Sequence, residues 1–306
     1  MTKVFIDGSA GTTGLRIVDR LSQRSDLELL ILPDALRKDP SARADALASA
    51  DIAFLCLPDA AAKESAALAA GSNVKIIDTS TAHRTDPNWV YGMPELSGNR
   101  QKIAESSRIA NPGCHASGFI ALVAPLVQAG LLPRDAQLSC FSLTGYSGGG
   151  KTMIAQYEAP DRPGLYNAPR QYALGQSHKH LPEMAAVCAL ENDPIFCPIV
   201  GDFYSGMEVT VPLFASGLKG SIEDIRALYQ NYYRTGLIRY EEADADGLLS
   251  ACAYSDRDDM GVSVFGNEDR ILLTARFDNL GKGASGAAIQ NMNILLGLPE
   301  ATGLTV

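Results

Sequence analysis

Seven residues, Gly8-Ser9-Ala10-Gly11-Thr12-Thr13-Gly14, constrain this chain more than any other stretch. They follow a short apolar run at 3–7 and precede Leu15, Ile17, Val18 and Leu21, which recur at helical spacing. Strand, glycine turn and helix in that order open a βαβ unit. The GxxGxxG spacing is a variant of the dinucleotide fingerprint, in which bare backbone approaches a pyrophosphate and helix N-terminal amides point at it. A tight turn with no ligand is the alternative. The expected cofactor-binding residues are Gly8, Ala10, Gly11, Thr12, Thr13 and Gly14.

A second apolar run at 27–32 ends near the residue that would choose the cofactor. Asp34 stands about where a carboxylate would take a ribose 2′-hydroxyl, as for NAD. Arg37 and Lys38 follow and are placed to neutralise a 2′-phosphate, as for NADP; an exposed basic pair is the alternative. A third strand is expected at 52–57. After it, Asp59 is expected as the N-cap of a helix running to Ala70, with Gly71 ending it. A fourth strand is expected at 74–78. Alternating strands and helices imply a doubly wound parallel sheet.

After about Pro112 the alternation stops. A mainly apolar helix is expected over 114–129 and strands over 137–144, 196–203, 207–214, 262–266 and 270–278. Met207, Val209, Val211 and Leu213 alternate with Glu208 and Thr210. A helix is expected over 222–233, and a final amphipathic helix over 284–296. The fold class expected is α/β: a doubly wound parallel-sheet dinucleotide-binding domain with a second, mixed α+β catalytic domain. The first domain is expected over 1–113, completed by the C-terminal helix at 284–306. The catalytic and dimerisation domain is expected over 114–283.

Composition narrows the chemistry. Of 306 residues, 46% are hydrophobic, enough for substantial cores. The net charge of −9 gives no global pull towards nucleic acid or anionic lipid, so neither is expected as a partner. No apolar stretch reaches membrane-spanning length. The six cysteines contain no CxxC pair, so no zinc site is expected and metal is left out of the reading. Dispersed thiols suit the reducing cytoplasm.

One cysteine departs from the pattern of a small buried hydrophobe. Pro112 and Gly113 bend the chain just before Cys114, which opens the apolar helix. A helix N-terminus favours thiolate, the nucleophilic form. His178 and His180 are two of only four histidines, and both lie just before Leu181-Pro182-Glu183. Pro182 suits a first helical turn, which puts His180 near an N-cap and Glu183 one turn on, where a carboxylate can orient the imidazole. Gly145 to Thr152 satisfies the phosphate-loop pattern GxxxxGK[ST]. The match is read as coincidence, because the first strand already has its glycine turn and a triphosphatase has no use for the Cys and His motifs.

Taken together, the Gly8–Gly14 turn, Asn111-Pro112-Gly113-Cys114 and His178-Lys179-His180-Leu181-Pro182-Glu183 resemble the short-form N-acetyl-gamma-glutamyl-phosphate reductases. Tyr91-Gly92-Met93-Pro94-Glu95-Leu96, Gly145 to Lys151 and Asn279 to Gly286 extend the resemblance along nearly the whole chain. That family is related in fold and chemistry to aspartate-semialdehyde dehydrogenase. The resemblance implies NADPH-dependent reduction of an acyl phosphate to an aldehyde in arginine biosynthesis, through a thioester on Cys114. It implies His180 as the acid–base residue, Glu183 as its partner and His178 on the substrate side. Asn111, Ser147, Gly148 and Lys151 are expected to bind substrate, and Asn279 and Gly281 to face the nicotinamide. A homodimer or homotetramer is implied. The rivals are reduction of another acyl phosphate, such as aspartyl phosphate, and a catalytically silent dinucleotide sensor.

Overall fold

Val4 and Ile6 point to one side of the first strand and Phe5 to the other, and all three are buried. A strand with no solvent face lies inside a sheet covered on both sides. The structure, a computed structural model, describes residues 1–242 and 246–306. The chain divides into two compact units, 1–112 with 284–304, and 113–283 with 305–306.

The first unit holds strands β1 (Thr2–Asp7), β2 (Leu27–Leu30), β3 (Ile52–Leu55), β4 (Lys75–Asp78), β5 (Val90–Tyr91) and β6 (Arg108–Ala110). Its helices begin with α1 (Thr12–Leu21), α2 (Pro40–Ser49), α3 (Asp59–Leu68) and α4 (Asn99–Glu105). The strands are all parallel, in the order β2-β1-β3-β4-β6-β5. Val4, Ile6 and Phe54 pack with Ile17 and Leu21 of α1 and Ile103 of α4. Phe5, Ala53 and Leu55 pack with Leu47 of α2 and Ala62 of α3 on the other face. The strand order reverses between β1 and β3, where the carboxyl ends of a doubly wound sheet leave a crevice. Buried Asp7, ending β1, fastens both helices of one face: its Oδ2 accepts from Arg43 Nε at 3.0 Å and Ser65 Oγ at 2.6 Å.

The second unit holds β7 (Ser139–Gly145), β8 (Arg170–Gln171), β9 (Ile195–Gly201), β10 (Met207–Phe214), β11 (Ile238–Tyr240), β12 (Met260–Gly266) and β13 (Arg270–Phe277). It also holds α5 (Cys114–Gln128), α6 (Gly150–Glu158), α7 (Leu181–Cys188) and α8 (Ile222–Tyr232). Its sheet is mixed, in the order β11-β12-β13-β10-β7-β9-β8. Met207, Val209, Val211 and Leu213 are buried, and the residues between them are not. Helix α5 is buried from His115 through Leu126. Gly118 lets it settle onto the sheet, because a Cβ there would stand 2.6 Å from Val209 Cγ2 and 2.8 Å from Phe277 Cε1. Pro125 has no N–H to give the Ala121 carbonyl, and the Tyr233 hydroxyl donates to that carbonyl instead at 2.6 Å.

The last helix, α9 (Gly286–Leu295), belongs to the first unit. It is buried on every side, which corrects the amphipathic reading. The polar residues that suggested a wet face are hydrogen-bonded inside. Gln290 donates to Glu95 and Glu300, Asn291 to the Gly92 carbonyl, and Asn293 to the carbonyls of Glu300 and Thr302. The expected N-cap at Asp59 is also corrected. Pro58 caps α3, and the Asp59 carboxylate instead accepts the Thr81 amide at 3.0 Å.

Candidate active site

Cys114 is the first residue of α5, half-buried, after an extended Gly113 N-cap with φ −80 and ψ 146. The Pro112-Gly113 bend therefore delivers the thiol to the positive end of a well-anchored helix. Gly283 lies against it: a Cβ there would stand 2.9 Å from Cys114 Cβ and 3.1 Å from the Asp278 carbonyl. Phe277 at the end of β13 closes the same spot.

Helix α7 carries the two residues expected for acid–base work. His180 is its N-cap and Glu183 lies in its first turn. Buried Glu183 accepts the Gly113 amide on Oε2 at 3.2 Å, and its Oε1 is 3.9 Å from His180 Nε2. One carboxylate thus fixes the start of α5 and faces His180. His178 sits with its ring centroid 4.7 Å from that of His180. Its Nδ1 accepts the His180 amide at 3.2 Å, which leaves the proton of the neutral ring on Nε2. Burial first, then the Lys179 charge, lower the His178 pKa to about 4, so the ring is a neutral donor at pH 7.

Three residues escaped the sequence reading. His115 is buried with Nδ1 2.7 Å from Ser142 Oγ and Nε2 2.7 Å from Tyr172 Oη. Burial, then the charges of His178 and Lys179, push its pKa down to about 3. Tyr172 is held above the usual phenol range by burial and then by the negative charge of Cys114. Its backbone is pinned to β9 through the Pro198 carbonyl at 3.0 Å. The Tyr172–His178 loop is clamped there too: Gln176 donates to the Phe196 carbonyl at 2.7 Å and accepts its amide at 2.8 Å. The only sequence signal for His115 was its place beside Cys114; for Tyr172 and Ser142 there was none.

The other expected substrate and tail residues have varied settings. Ser147 is buried and accepts from Asn279 Nδ2 at 3.0 Å, while Asn279 Oδ1 accepts the Gly206 amide at 2.9 Å. Both ends of the Asn279 amide are therefore engaged within its own unit. Gly281 has a packing reason to be glycine, since a Cβ would lie 1.9 Å from the Arg257 carbonyl oxygen. Gly148 has ordinary room, and Lys151 is exposed on α6. Asn111, in the first unit, donates to the Ala284 carbonyl at 3.0 Å and accepts from Asn291 at 3.2 Å.

The glycine turn of the first unit shows three different needs. Gly8 has φ +89, and a Cβ would stand 2.3 Å from the Cys56 carbonyl oxygen. A Cβ on Gly14 would stand 2.4 Å from the Gly8 carbonyl oxygen. Gly11 is different. It caps α1 with φ −76 and ψ 167, allowed to any residue, and a Cβ would meet nothing closer than 3.5 Å. Among the described residues nothing requires glycine there. A bare backbone at a helix N-terminus is what a pyrophosphate needs, so the turn fits a dinucleotide. Ala10, Thr12 and Thr13 complete the turn into α1, and Arg37 lies 3.4 Å from Asp34 on an exposed loop beside Lys38.

Residues 114–279 match the family model described as semialdehyde dehydrogenase, dimerisation domain, and 33–106 the one described as semialdehyde dehydrogenase, NAD binding domain. N-acetyl-gamma-glutamyl-phosphate reductases from Brucella ovis and Brucella suis are each 48% identical to the chain, over 96% of it and 99% of their own length. The chain belongs to the N-acetyl-gamma-glutamyl-phosphate reductase family. Solved aspartate semialdehyde dehydrogenases share its fold. The enzyme II from Vibrio cholerae aligns with a TM-score of 0.74 at 17% identity, over 97% of this chain and 98% of that one. The Francisella tularensis enzyme aligns with 0.73 at 14%, over 97% and 100%. Membership in the reductase family rests on the 48% relatives, and the structures add the architecture alone. The NAD-binding match begins at residue 33, after the glycine turn.

Proposed function

We propose that the chain reduces N-acetyl-L-glutamyl 5-phosphate to N-acetyl-L-glutamate 5-semialdehyde and phosphate with NADPH, in arginine biosynthesis. The observation that carries this reading is Cys114 at the first turn of α5, with Glu183 on the preceding amide and facing His180. The Cys114 sulfur attacks the acyl carbon, forming a C–S bond and an oxyanion; as the carbonyl reforms, the C–O bond to phosphate breaks and phosphate leaves with the electron pair. Bound NADPH supplies the hydride that takes the thioester to the aldehyde level. His180 donates a proton as charge builds on the former carbonyl oxygen, and takes it back as the C–S bond breaks and releases aldehyde and thiolate. Glu183 holds the imidazole's charge during that exchange. His178 offers a neutral N–H to the substrate, with Asn111, Ser147, Gly148 and Lys151 as its other contacts. Gly8, Ala10, Gly11, Thr12, Thr13 and Gly14 hold the cofactor pyrophosphate, Arg37 and Lys38 the 2′-phosphate, and Asn279 and Gly281 the nicotinamide side.

The second unit also presents Phe141, Ile195, Phe214 and Leu272 on its strands, all exposed. Apolar side chains on one sheet face suit a homodimer or homotetramer built through the domain whose family model is named for dimerisation. Among the described residues no helix is long and apolar enough to cross a membrane. The reading places the enzyme in the cytoplasm.

A substrate panel followed by NADPH oxidation tests this function. N-acetylglutamyl phosphate should be turned over at least about 100-fold more efficiently than aspartyl phosphate, within the roughly 10⁴–10⁵-fold by which a site built to bond a polar group can reject an analogue lacking it. NADH should substitute poorly, and Arg37→Ala with Lys38→Ala should narrow that gap. Preference for aspartyl phosphate would contradict the assignment.

A further inference from the structure

The buried chain Ser142–His115–Tyr172 has a direction that hydrogen-bond accounting fixes. Ser142 is fully buried on β7, and among the described residues its hydroxyl meets one partner, His115 Nδ1. A buried hydroxyl proton with a single neighbour goes to that neighbour. Ser142 therefore donates and Nδ1 accepts. A neutral imidazole carries one proton, so it sits on Nε2 and is donated to the Tyr172 oxygen. That bond occupies an acceptor position on the phenol. The phenolic proton is left to point elsewhere, from a half-buried Tyr172 whose oxygen lies 2.7 Å from the ring of His115, the residue next to Cys114 in the first turn of α5.

On the reading of Cys114 as the acylated nucleophile, we propose that Tyr172 is a catalytic hydrogen-bond donor to the oxyanion formed on the acyl carbon bound to Cys114, with His115 and Ser142 as positioning residues that aim its hydroxyl. As the C–S bond forms, the carbonyl π pair moves onto oxygen, and the phenol donates a hydrogen bond there without giving up its proton. When the carbonyl reforms, phosphate leaves with the C–O pair. A donor held by a neutral, aimed relay needs no reorientation as charge appears. The loop that carries it is clamped by Gln176 and holds two non-glycine residues at positive φ, Ala173 and Gln176. That is a strained shape kept by its surroundings.

Two measurements test this. ¹⁵N NMR of histidine-labelled enzyme reads the tautomer directly: His115 should carry its proton on Nε2 and stay neutral down to about pH 4. The burst of phosphate release on mixing with acyl phosphate, without NADPH, reads acylation. Tyr172→Phe should slow the burst about 100-fold, the scale of one lost oxyanion donor. His115→Phe should slow it about tenfold, and should add nothing in the Tyr172→Phe background, because its effect passes through that hydroxyl. Unchanged NADPH binding and near-native melting confirm that the variants are folded. A His115 proton on Nδ1, a wild-type burst in Tyr172→Phe, or an equal loss from His115→Phe in both backgrounds would overturn this assignment alone. No burst in the wild type would overturn the acyl-phosphate reading, and this one with it.

Discussion

Gly11 and Gly14 are both glycine, for different reasons, and the difference is measurable. Gly14→Ala pushes a methyl into the Gly8 carbonyl and should cost about 1–3 kcal/mol of stability, the usual price of overpacking. Gly11→Ala meets only ordinary contacts and should stay within about 1 kcal/mol of wild type. It should nonetheless weaken NADPH at least about tenfold, by displacing a hydrogen bond to a charged group. Thermal melts and NADPH titration of both variants check this; Gly11→Ala binding NADPH normally would contradict the pyrophosphate assignment. At this scale the sequence reading saw residues with a local pattern. Gly8 to Gly14 lie between a strand and a helix, Cys114 follows a Pro-Gly bend, and His180 precedes Pro182. It missed Ser142 and Tyr172, which lie 27 and 57 residues from the histidine they bond, a separation no local spacing encodes. Cys252 departs from the small buried hydrophobe expected of a dispersed thiol: it lies exposed, because the 246–257 segment runs through surface turns.

Elements were legible where one face alone was buried. The alternation in β10 and the 3.6-residue spacing in α1 both reflect a core on one side and water on the other. Helix α9 misled because its polar residues are satisfied inside the fold, and periodicity cannot distinguish a hydrogen-bonded buried Asn from a solvated one. Helix α2 went unread although Asp39 accepts the Ala42 amide at 2.8 Å and Pro40 opens its first turn, a usable start signal. Helix α5 and the 172–180 loop enclose the two histidines whose pKa values fall to about 3 and about 4. Folding holds His115 neutral, while the unfolded chain protonates it near 6.5. Between those values the unfolded state binds more protons, so stability is complete above about pH 6.5 and is lost as pH falls towards 3. Melts between pH 7.5 and 4.5 should show this decline, with a shallower slope in His115→Phe. The same slope in both proteins would contradict a buried neutral His115.

At the scale of the molecule, the parallel order of the first unit followed from alternating strands and helices, and the mixed second sheet from strands that ceased to alternate with helices. Its seven-strand order was out of reach, since β7 pairs in parallel with β9 and antiparallel with β10 by contacts remote in sequence. The proposed reaction depends on one covalent bond, and mass spectrometry of the enzyme incubated with N-acetylglutamyl phosphate in the absence of NADPH observes it. Acylation separates Cys114 from the exposed Cys252, which simple alkylation does not. The wild type should gain one acyl group, mapped by proteolysis to Cys114, and Cys114→Ser should gain none on that peptide while still binding NADPH. An acyl group on another residue, or substantial reductase activity in Cys114→Ser, would contradict the mechanism.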